Sequence, residues 1–325
     1  NLKEARLRRY QNFYFQQPYH QAFYFRSLLL EGKKFSIMDY EKEIKKIRLD
    51  QVKKFAKKLF DQLYIEGFVY GNLRVKPVLD AVKVLREKLG EKTLPEGKRF
   101  LASVRQVSQG KSHTFTRKMQ VENSALVTDV QIGQHSPKLQ VALMVIDNIM
   151  QPQFYNELRT SQQLGYIVNS GMTILEKTLG LIFIIQSGEY NVEILEKRME
   201  AFLEKFYKSL DNLTDEELDK IKKSVLHSKL QKSTSVTGEA GRLFTLAFER
   251  NAKFDENSKE ITALERLTLA DIQNVVRSYL LPSKQRKLIL RMSGRDHDAG
   301  MSAGVKILSI AKFKQQYACP DNCLP

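Results

Sequence analysis

Apolar residues return at helical spacing at Leu139, Leu143, Ile146 and Met150, which predicts a helix with one buried face. Ser136 and Pro137 mark its start, an N-cap followed by a first-turn proline. Pro152 is expected to kink this helix, and Gly165 to close it in the left-handed conformation. The β-branched Ile167 and Val168 then favour extended backbone. Two further segments, residues 113–120 and 124–132, alternate in part as strands. Residues 167–174 and 180–186 flank the polar turn Glu176-Lys177 and predict an antiparallel pair. Leu181 to Ile185 is apolar throughout, so that strand needs cover on both faces. Residues 193–210 read as an amphipathic helix with Ile194, Met199, Phe202, Leu203 and Phe206 inward. Thr214 with Glu217 forms a capping box that starts another, running toward Leu230. Ser, Thr and Gly dominate residues 233–241, which are expected to be a flexible loop. The fold class is therefore α+β, an antiparallel sheet with helices packed on it.

The same pattern occurs twice. Lys34-Phe35 recurs as Lys253-Phe254, Ile47, Leu49 and Val52 recur as Leu267, Leu269 and Ile272, and Gly71 recurs as Gly294. Each copy reads as a helix followed by a strand closed by glycine. The helices carry Val52, Phe55, Ala56 and Leu59 or Ile272, Val275, Val276 and Tyr279; the strands are residues 64–70 and 287–292. If the copies are homologous, the second is a full repeat and the first holds only the C-terminal part of one. The expected organisation is residues 1–92 as the end of a truncated sister domain, 93–297 as a complete domain, and 298–325 as a tail.

Composition narrows the function classes. With 325 residues and 42% hydrophobic content the chain can bury a large core, and no run of 18 apolar residues suggests a membrane span. Cys319 and Cys323 stand four apart in the tail; they read as two unpaired thiols, with a disulfide or a metal pair as the alternatives. The formal charge is +16, and residues 1–90 carry 20 Lys and Arg against 10 Asp and Glu. Clustered cations beside Tyr10, Phe13, Tyr14, Phe15, Tyr19, Phe23, Tyr24 and Phe25 raise nucleic-acid binding as a reading. The lysines alternate with apolar residues at helical spacing, however, as on a solvated helix face, and a basic surface for polyanions or acidic peptides fits better.

The chemistry-bearing stretch is residues 154–168. Arg159 sits near a helix end and Tyr166 where a strand opens. An arginine offers a planar fork of donors to a peptide carbonyl, and a tyrosine hydroxyl can donate to an oxyanion. The alternative is structural, since the helix dipole favours arginine near a C-terminus and a strand-opening tyrosine commonly packs with its hydroxyl wet. Glu216 and Glu217 read as dipole partners in a first helical turn rather than as an acid–base pair. The histidines, at 20, 113, 135, 227 and 297, have no second histidine within five residues, and no His-Glu or Glu-His pair exists. They read as surface or helix-end residues, and no local metal motif can be built from them.

The wording of this stretch, Leu158-Arg159-Thr160 and then Gln163-Leu164-Gly165-Tyr166-Ile167-Val168, resembles the segment that marks the C-terminal half of the pitrilysin and insulysin family of zinc peptidases. Gly180 to Ser187, the Leu-Thr-Asp-Glu-Glu run from Leu213, and the blocks 17–30 and 65–72 resemble other parts of that half in the same order. The resemblance covers nearly the whole chain to about residue 296. It implies a LuxS/MPP-like metallopeptidase fold in which Arg159 holds a substrate carbonyl, Tyr166 steadies the tetrahedral intermediate and Tyr155 lines the adjoining pocket. It also implies that zinc, bound through His-x-x-Glu-His, lies in an absent N-terminal half, fused or separate. The substrates would be peptides held in a chamber between the halves. A non-catalytic scaffold or partner subunit of the same fold is the alternative.

Overall fold

The computed structural model describes residues 2–89, 92–100, 102–317 and 323–324, the last pair for backbone only. In chain order the helices are α1 (Leu2–Asn12), α2 (Pro18–Leu30), α3 (Ile37–Ile44), α4 (Leu49–Leu59), α5 (Val75–Leu89), α6 (Pro137–Phe154), α7 (Val192–Ser209), α8 (Asp215–Leu230), α9 (Val236–Phe244), α10 (Glu256–Glu265), α11 (Leu269–Val275) and α12 (Ile310–Gln316). The strands are β1 (Val104–Arg105), β2 (Lys111–Lys118), β3 (Ser124–Gln134), β4 (Ile167–Leu175), β5 (Thr178–Ser187), β6 (Arg286–Ser293), β7 (Val305–Lys306) and β8 (Cys323–Leu324).

Two compact units emerge. One is made of Asn1–Leu7, Ile37–Leu101 and Lys232–Phe254, the other of Arg8–Ser36, Ala102–Gln231 and Asp255–Pro325. These units do not follow the boundaries at 92 and 297 that the repeat suggested. Helix α2 joins the larger unit because Ala22, Phe25, Leu28, Leu29 and Leu30 are buried there, and Phe25 meets Phe115 of β2 with ring centroids 4.8 Å apart. Residues beyond 298 are also built in: β7 pairs with β2, and Phe313 and Tyr317 of the α12 region are buried. Cys319 lies outside the described residues, and of Cys323 only the backbone is described.

The larger unit is organised on a six-stranded sheet of order β4-β5-β3-β6-β2-β7. The expected hairpin exists, with β4 and β5 paired antiparallel from Ile167–Gln186 to Leu175–Thr178. The class is α+β, with one difference: β2 runs parallel to both β6 and β7, whereas β3 is antiparallel to β5 and β6. The β2–β6 pair is parallel because β6 returns only after a long helical excursion, the connection that parallel strands require. β3 and β6 are central and buried along most of their length. Strand side chains alternate between faces. Leu126 and Val130 join the core formed with α6 and α7, while Asp129 takes the opposite face and pairs with Arg26 of α2. Arg26 also donates to Thr173 Oγ1 at 3.3 Å. So buried a pair is better suited to fixing how α2 sits on the sheet than to adding net stability. One face of β5, with Leu181, Phe183 and Ile185, is fully buried, while on the other Ile182 is buried and Ile184 half-buried.

Local rules worked well in this unit. Ser136 Oγ accepts from the Leu139 N–H, and Thr214 and Glu217 form a reciprocal capping box at α8. In α7, Met199, Phe202, Leu203 and Phe206 face the core, while Ile194 is 37% exposed.

The smaller unit is helical, with α3, α4, α5 and α9 and no strand pairing beyond an isolated bridge between Leu63 and Thr93 among the described residues. Two expectations are corrected there. Residues 233–241 are not a loop: Ser235 Oγ caps the N–H of Gly238 and starts α9. Residues 64–70, expected as a strand, are irregular because no neighbouring strand supplies a ladder.

Candidate functional site

The end of α6 is where the chain departs from regular geometry. Pro152 lies inside the helix and supplies no N–H, and the N–H of Tyr155 reaches both the Gln151 and Pro152 carbonyls. Beyond it, residues Tyr155–Ser161 form a widened π-turn, an irregularity that recurs at functional sites. Phe154 and Leu158 are fully buried and anchor the turn on the core. The segment closes with Gln162 N–H donating to the Glu157 carbonyl at 2.9 Å and Leu164 N–H to the Leu158 carbonyl at 3.0 Å. The left-handed residue is Gln163, with φ of 49°, rather than Gly165 as expected. Gly165 is needed for a different reason: a Cβ there would collide with the carbonyl oxygen of Gln186 on β5. The close backbone approach lets Tyr166 run directly into β4.

This route brings the three candidate residues together. Arg159 Nη1 donates to Tyr155 Oη at 2.8 Å. The guanidinium carbon lies 5.2 Å from the Tyr155 ring centroid and 4.9 Å from that of Tyr166, so the cation sits against both π faces. Tyr155 is 43% exposed and Tyr166 84%. Both rings therefore border solvent, and neither is locked in the core. Beside them opens a cleft of about 610 Å³, lined by Gln151, Pro152, Tyr155, Asn156, Tyr166 and Asn169 among others. Gln151, Asn156 and Asn169 were not singled out from sequence; each is an ordinary exposed polar residue until the π-turn and β4 set it on the same cleft.

Two of the histidines depart from expectation, whereas His20 is exposed and His227 lies exposed in the last turn of α8. His113 is buried and its Nε2 lies 2.9 Å from Tyr317 Oη, and burial, then Lys111, pushes its pKa down. His135 has a nearly enclosed side chain, with Nδ1 3.2 Å from Glu256 and Nε2 3.7 Å from Glu260. Lys229 pairs with Glu260 through a buried contact, and Gln140 meets His135 Nε2. One potential ligand atom from each of His135, Glu256 and Glu260 falls within 4.8 Å of the others, a cluster that no local motif announced because its members are far apart in sequence. It does not suit a resident zinc ion. The two carboxylates approach different edges of the imidazole, and an ammonium group already holds Glu260. Glu216 and Glu217 stay in the first turn of α8, paired with Lys220 and with Thr214.

The aromatics near the N-terminus pack mutually. Phe13 lies 4.6 Å from Tyr24 and 6.2 Å from Phe25, with Phe13 and Phe25 buried and therefore closed to base stacking. Among the described residues no helix is long and apolar enough to cross a membrane.

Residues 145–244 match the family model described as PQQ synthase PqqF-like, C-terminal lobe domain 4. The chain is 28% identical over 305 residues to the insulin-degrading enzyme of Homo sapiens, covering 92% of this chain and 30% of that protein. It is 25% identical over 333 residues to the peroxisomal insulin-degrading enzyme-like 1 of Arabidopsis thaliana, covering 97% of this chain and 34% of that protein. Pitrilysin superposes with a TM-score of 0.83 at 21% identity, over 96% of this chain and 34% of pitrilysin. An inactive peptidase domain from Pseudomonas fluorescens gives 0.60 at 18% identity, over 95% of this chain and 71% of that one. The chain is thus similar to insulin-degrading enzymes and to pitrilysin, and its family-model match is to a C-terminal lobe domain. It spans about a third of the length of these curated relatives.

Proposed function

We propose that this chain is the substrate-binding C-terminal portion of a zinc metalloendopeptidase, and that Arg159 and Tyr166 serve an active site whose zinc lies in an N-terminal half, fused or a separate subunit. The reading rests above all on the guanidinium of Arg159, held against the Tyr155 and Tyr166 rings, both of which line the neighbouring cleft. Arg159 has five N–H donors, one of which is engaged by Tyr155, and the fork that remains can hold a peptide carbonyl. Tyr166 donates its O–H to the oxygen that gains charge when the amide is attacked. Tyr155 orients Arg159 and forms a wall of the neighbouring side-chain pocket. Zinc, held by the other half, would supply the activated water.

The exposure of Tyr166 also explains why the second half is required. An oxyanion donor is most effective where water is excluded, and here the phenol stands in solvent. The isolated chain should hydrolyse no peptide; chelator-sensitive peptidase activity from pure material would overturn the proposal. In the full-length protein, Tyr166→Phe should lower kcat by roughly 10- to 1000-fold with little change in KM. Arg159→Lys, which loses the planar fork, should mainly raise KM.

The second reading is a non-catalytic scaffold or partner of the same fold, which the likeness to an inactive domain favours. On that reading Tyr166→Phe leaves turnover unchanged. A basic surface on α4, with Lys53, Lys54, Lys57 and Lys58 exposed, adds attraction for acidic peptides or polyanions under either reading.

A further inference from the structure

Between α6 and β4 two polar groups stand unanswered. Asp147 of α6 is half-buried, and its Oδ1 is covered from solvent without a hydrogen-bond partner. Ser170 of β4 is buried, and its Oγ has no partner either. Among the described residues no cation is paired with Asp147, although the chain carries a net charge of +16. Burial pushes its pKa up, and the backbone N–H of Met172 on β4 draws it partly back. Serving that N–H takes one acceptor, which a neutral asparagine would supply as well, and aspartate is a poor residue for a helix interior. The N–H of Met172 therefore does not account for a carboxylate at this place.

Both groups lie in line with the candidate site. Asp147, Gln151 and Tyr155 follow one another at intervals of four residues along α6 and into its π-turn, so they share a helix face. Gln151 and Tyr155 line the cleft beside Arg159, and on β4 so do Val168 and Asn169. Val168, Ser170 and Met172 alternate onto one face of β4, and Val168 and Met172 pack with the core that α6 joins. The seam between helix and strand thus runs from Tyr155 and Tyr166, past Gln151 and Val168, to Asp147 and Ser170. β4 is the last strand on its side of the sheet, so among the described residues no further strand closes the seam. At a rise of about 1.5 Å per residue Asp147 lies about 12 Å from Tyr155 along the helix, a span that an extended peptide covers in about four residues.

We propose that Asp147, assisted by Ser170, selects a basic side chain of the bound peptide, a lysine or arginine about four residues from the one seated against Tyr155. An ionised carboxylate only accepts and a serine hydroxyl can accept, while an ammonium or guanidinium brings donors and no acceptor of its own, so one cation answers both groups. Its long methylene stem lets the charge reach a carboxylate set back from the surface. The inference rests on the reading that peptides bind beside Arg159 and Tyr166, but it gives Asp147 a part in choosing the peptide and none in the chemistry. The requirement is local, and a peptide that is acidic elsewhere meets it with a single basic residue.

Peptide binding to the full-length natural protein, with a chelator present so that nothing is cut, tests it. N-acetylated, C-amidated peptides carry one lysine walked along an otherwise neutral sequence, with methionine at the same position as the control. The blocked N-terminus leaves the side chain as the only cation. One register should bind about 10- to 100-fold more tightly than its methionine control. Asp147→Asn, which keeps an acceptor for the Met172 N–H, should erase that gain and leave the methionine peptides bound as before, and Asp147→Glu should retain part of it. A lysine preference that survives Asp147→Asn would overturn the inference. So would equal affinity in every register, or an equal weakening of lysine and methionine peptides, which marks a merely structural role. Turnover without chelator keeps the two proposals apart: Tyr166→Phe should slow every peptide alike, and if it slows none, the role of Tyr166 fails while the binding series still decides on Asp147.

Discussion

Helices α4 and α11 carry nearly the same pattern of apolar positions and meet opposite fates. On α11 the pattern is a core seam; on α4 it faces water. Periodicity therefore fixes which residues would be buried together, and not whether anything is present to bury them. The larger unit has its sheet, and every apolar side chain of β3 and β5 contributes to the stability of the helices laid over it. In the smaller unit the helices are held by contacts such as Phe68 against Phe244 and Arg99 over Tyr64.

The sharpest break in the comparison comes from the buried charges of the larger unit. Lys229→Met leaves Glu260 enclosed without its ammonium partner and should cost about 3–5 kcal/mol of unfolding free energy, read by denaturant melting. Exchange protection in α4 and α5 should not move; if it falls equally, the two units unfold as one.

Truncation of matched residues comes next. Ile272→Ala should cost about 2–5 kcal/mol, because it opens a cavity in a closed core. Val52→Ala, at the matching position, should stay within about 0.5 kcal/mol. Equal losses would mean that the stripe is covered in solution.

Ser235→Ala removes the cap of α9 and should destabilise that helix by about 1 kcal/mol, detected as faster exchange at Gly238 and its neighbours. The larger unit should be unaffected.

Acid provides the finest distinction. Burial alone would raise the Glu260 pKa, but hydrogen bonds from His135 and Lys229 hold it below the ordinary carboxylate value of 4.5. A depressed carboxylate contributes stability that is fully present above its unfolded pKa and is lost as pH falls through the folded one. The larger unit should therefore lose this contribution only below about pH 4.5, and the loss should be smaller in Glu260→Gln. Glu43 of α3 is also lowered, by its hydrogen bond to Lys46, but the pair is fully exposed and screened. Glu43→Gln should leave the acid profile unchanged within error.

Much of the larger unit was legible because its signals are local. Ser136-Pro137, the Thr214–Glu217 box and the alternating strands act through neighbours a few residues apart, and the β4–β5 hairpin needs only its own turn. The candidate site was legible only as three names. Nothing local indicates that a π-turn follows Pro152, that Gln163 takes the left-handed position, or that Gln151, Asn156 and Asn169 share a cleft with Tyr155 and Tyr166. Residues 233–241 have the Ser, Thr and Gly content of a loop, but Ser235 is a helix cap and the segment after it is helical. The placement of α2 was missed because Phe25 and Arg26 are recruited by Phe115 and Asp129, about a hundred residues away.

By itself the amino-acid sequence determined the α+β class, most helix starts in the larger unit, the repeated helix-and-strand pattern and the identities of Tyr155, Arg159 and Tyr166. Those outcomes depend on short-range hydrogen bonding and on side-chain period, which a linear pattern contains. Tertiary structure alone decided which strands flank β6, that His135 sits between Glu256 and Glu260, and that one repeat copy is covered while the other is bare. Each of these is set by partners distant in the chain, and burial is a property of the partners as much as of the residue.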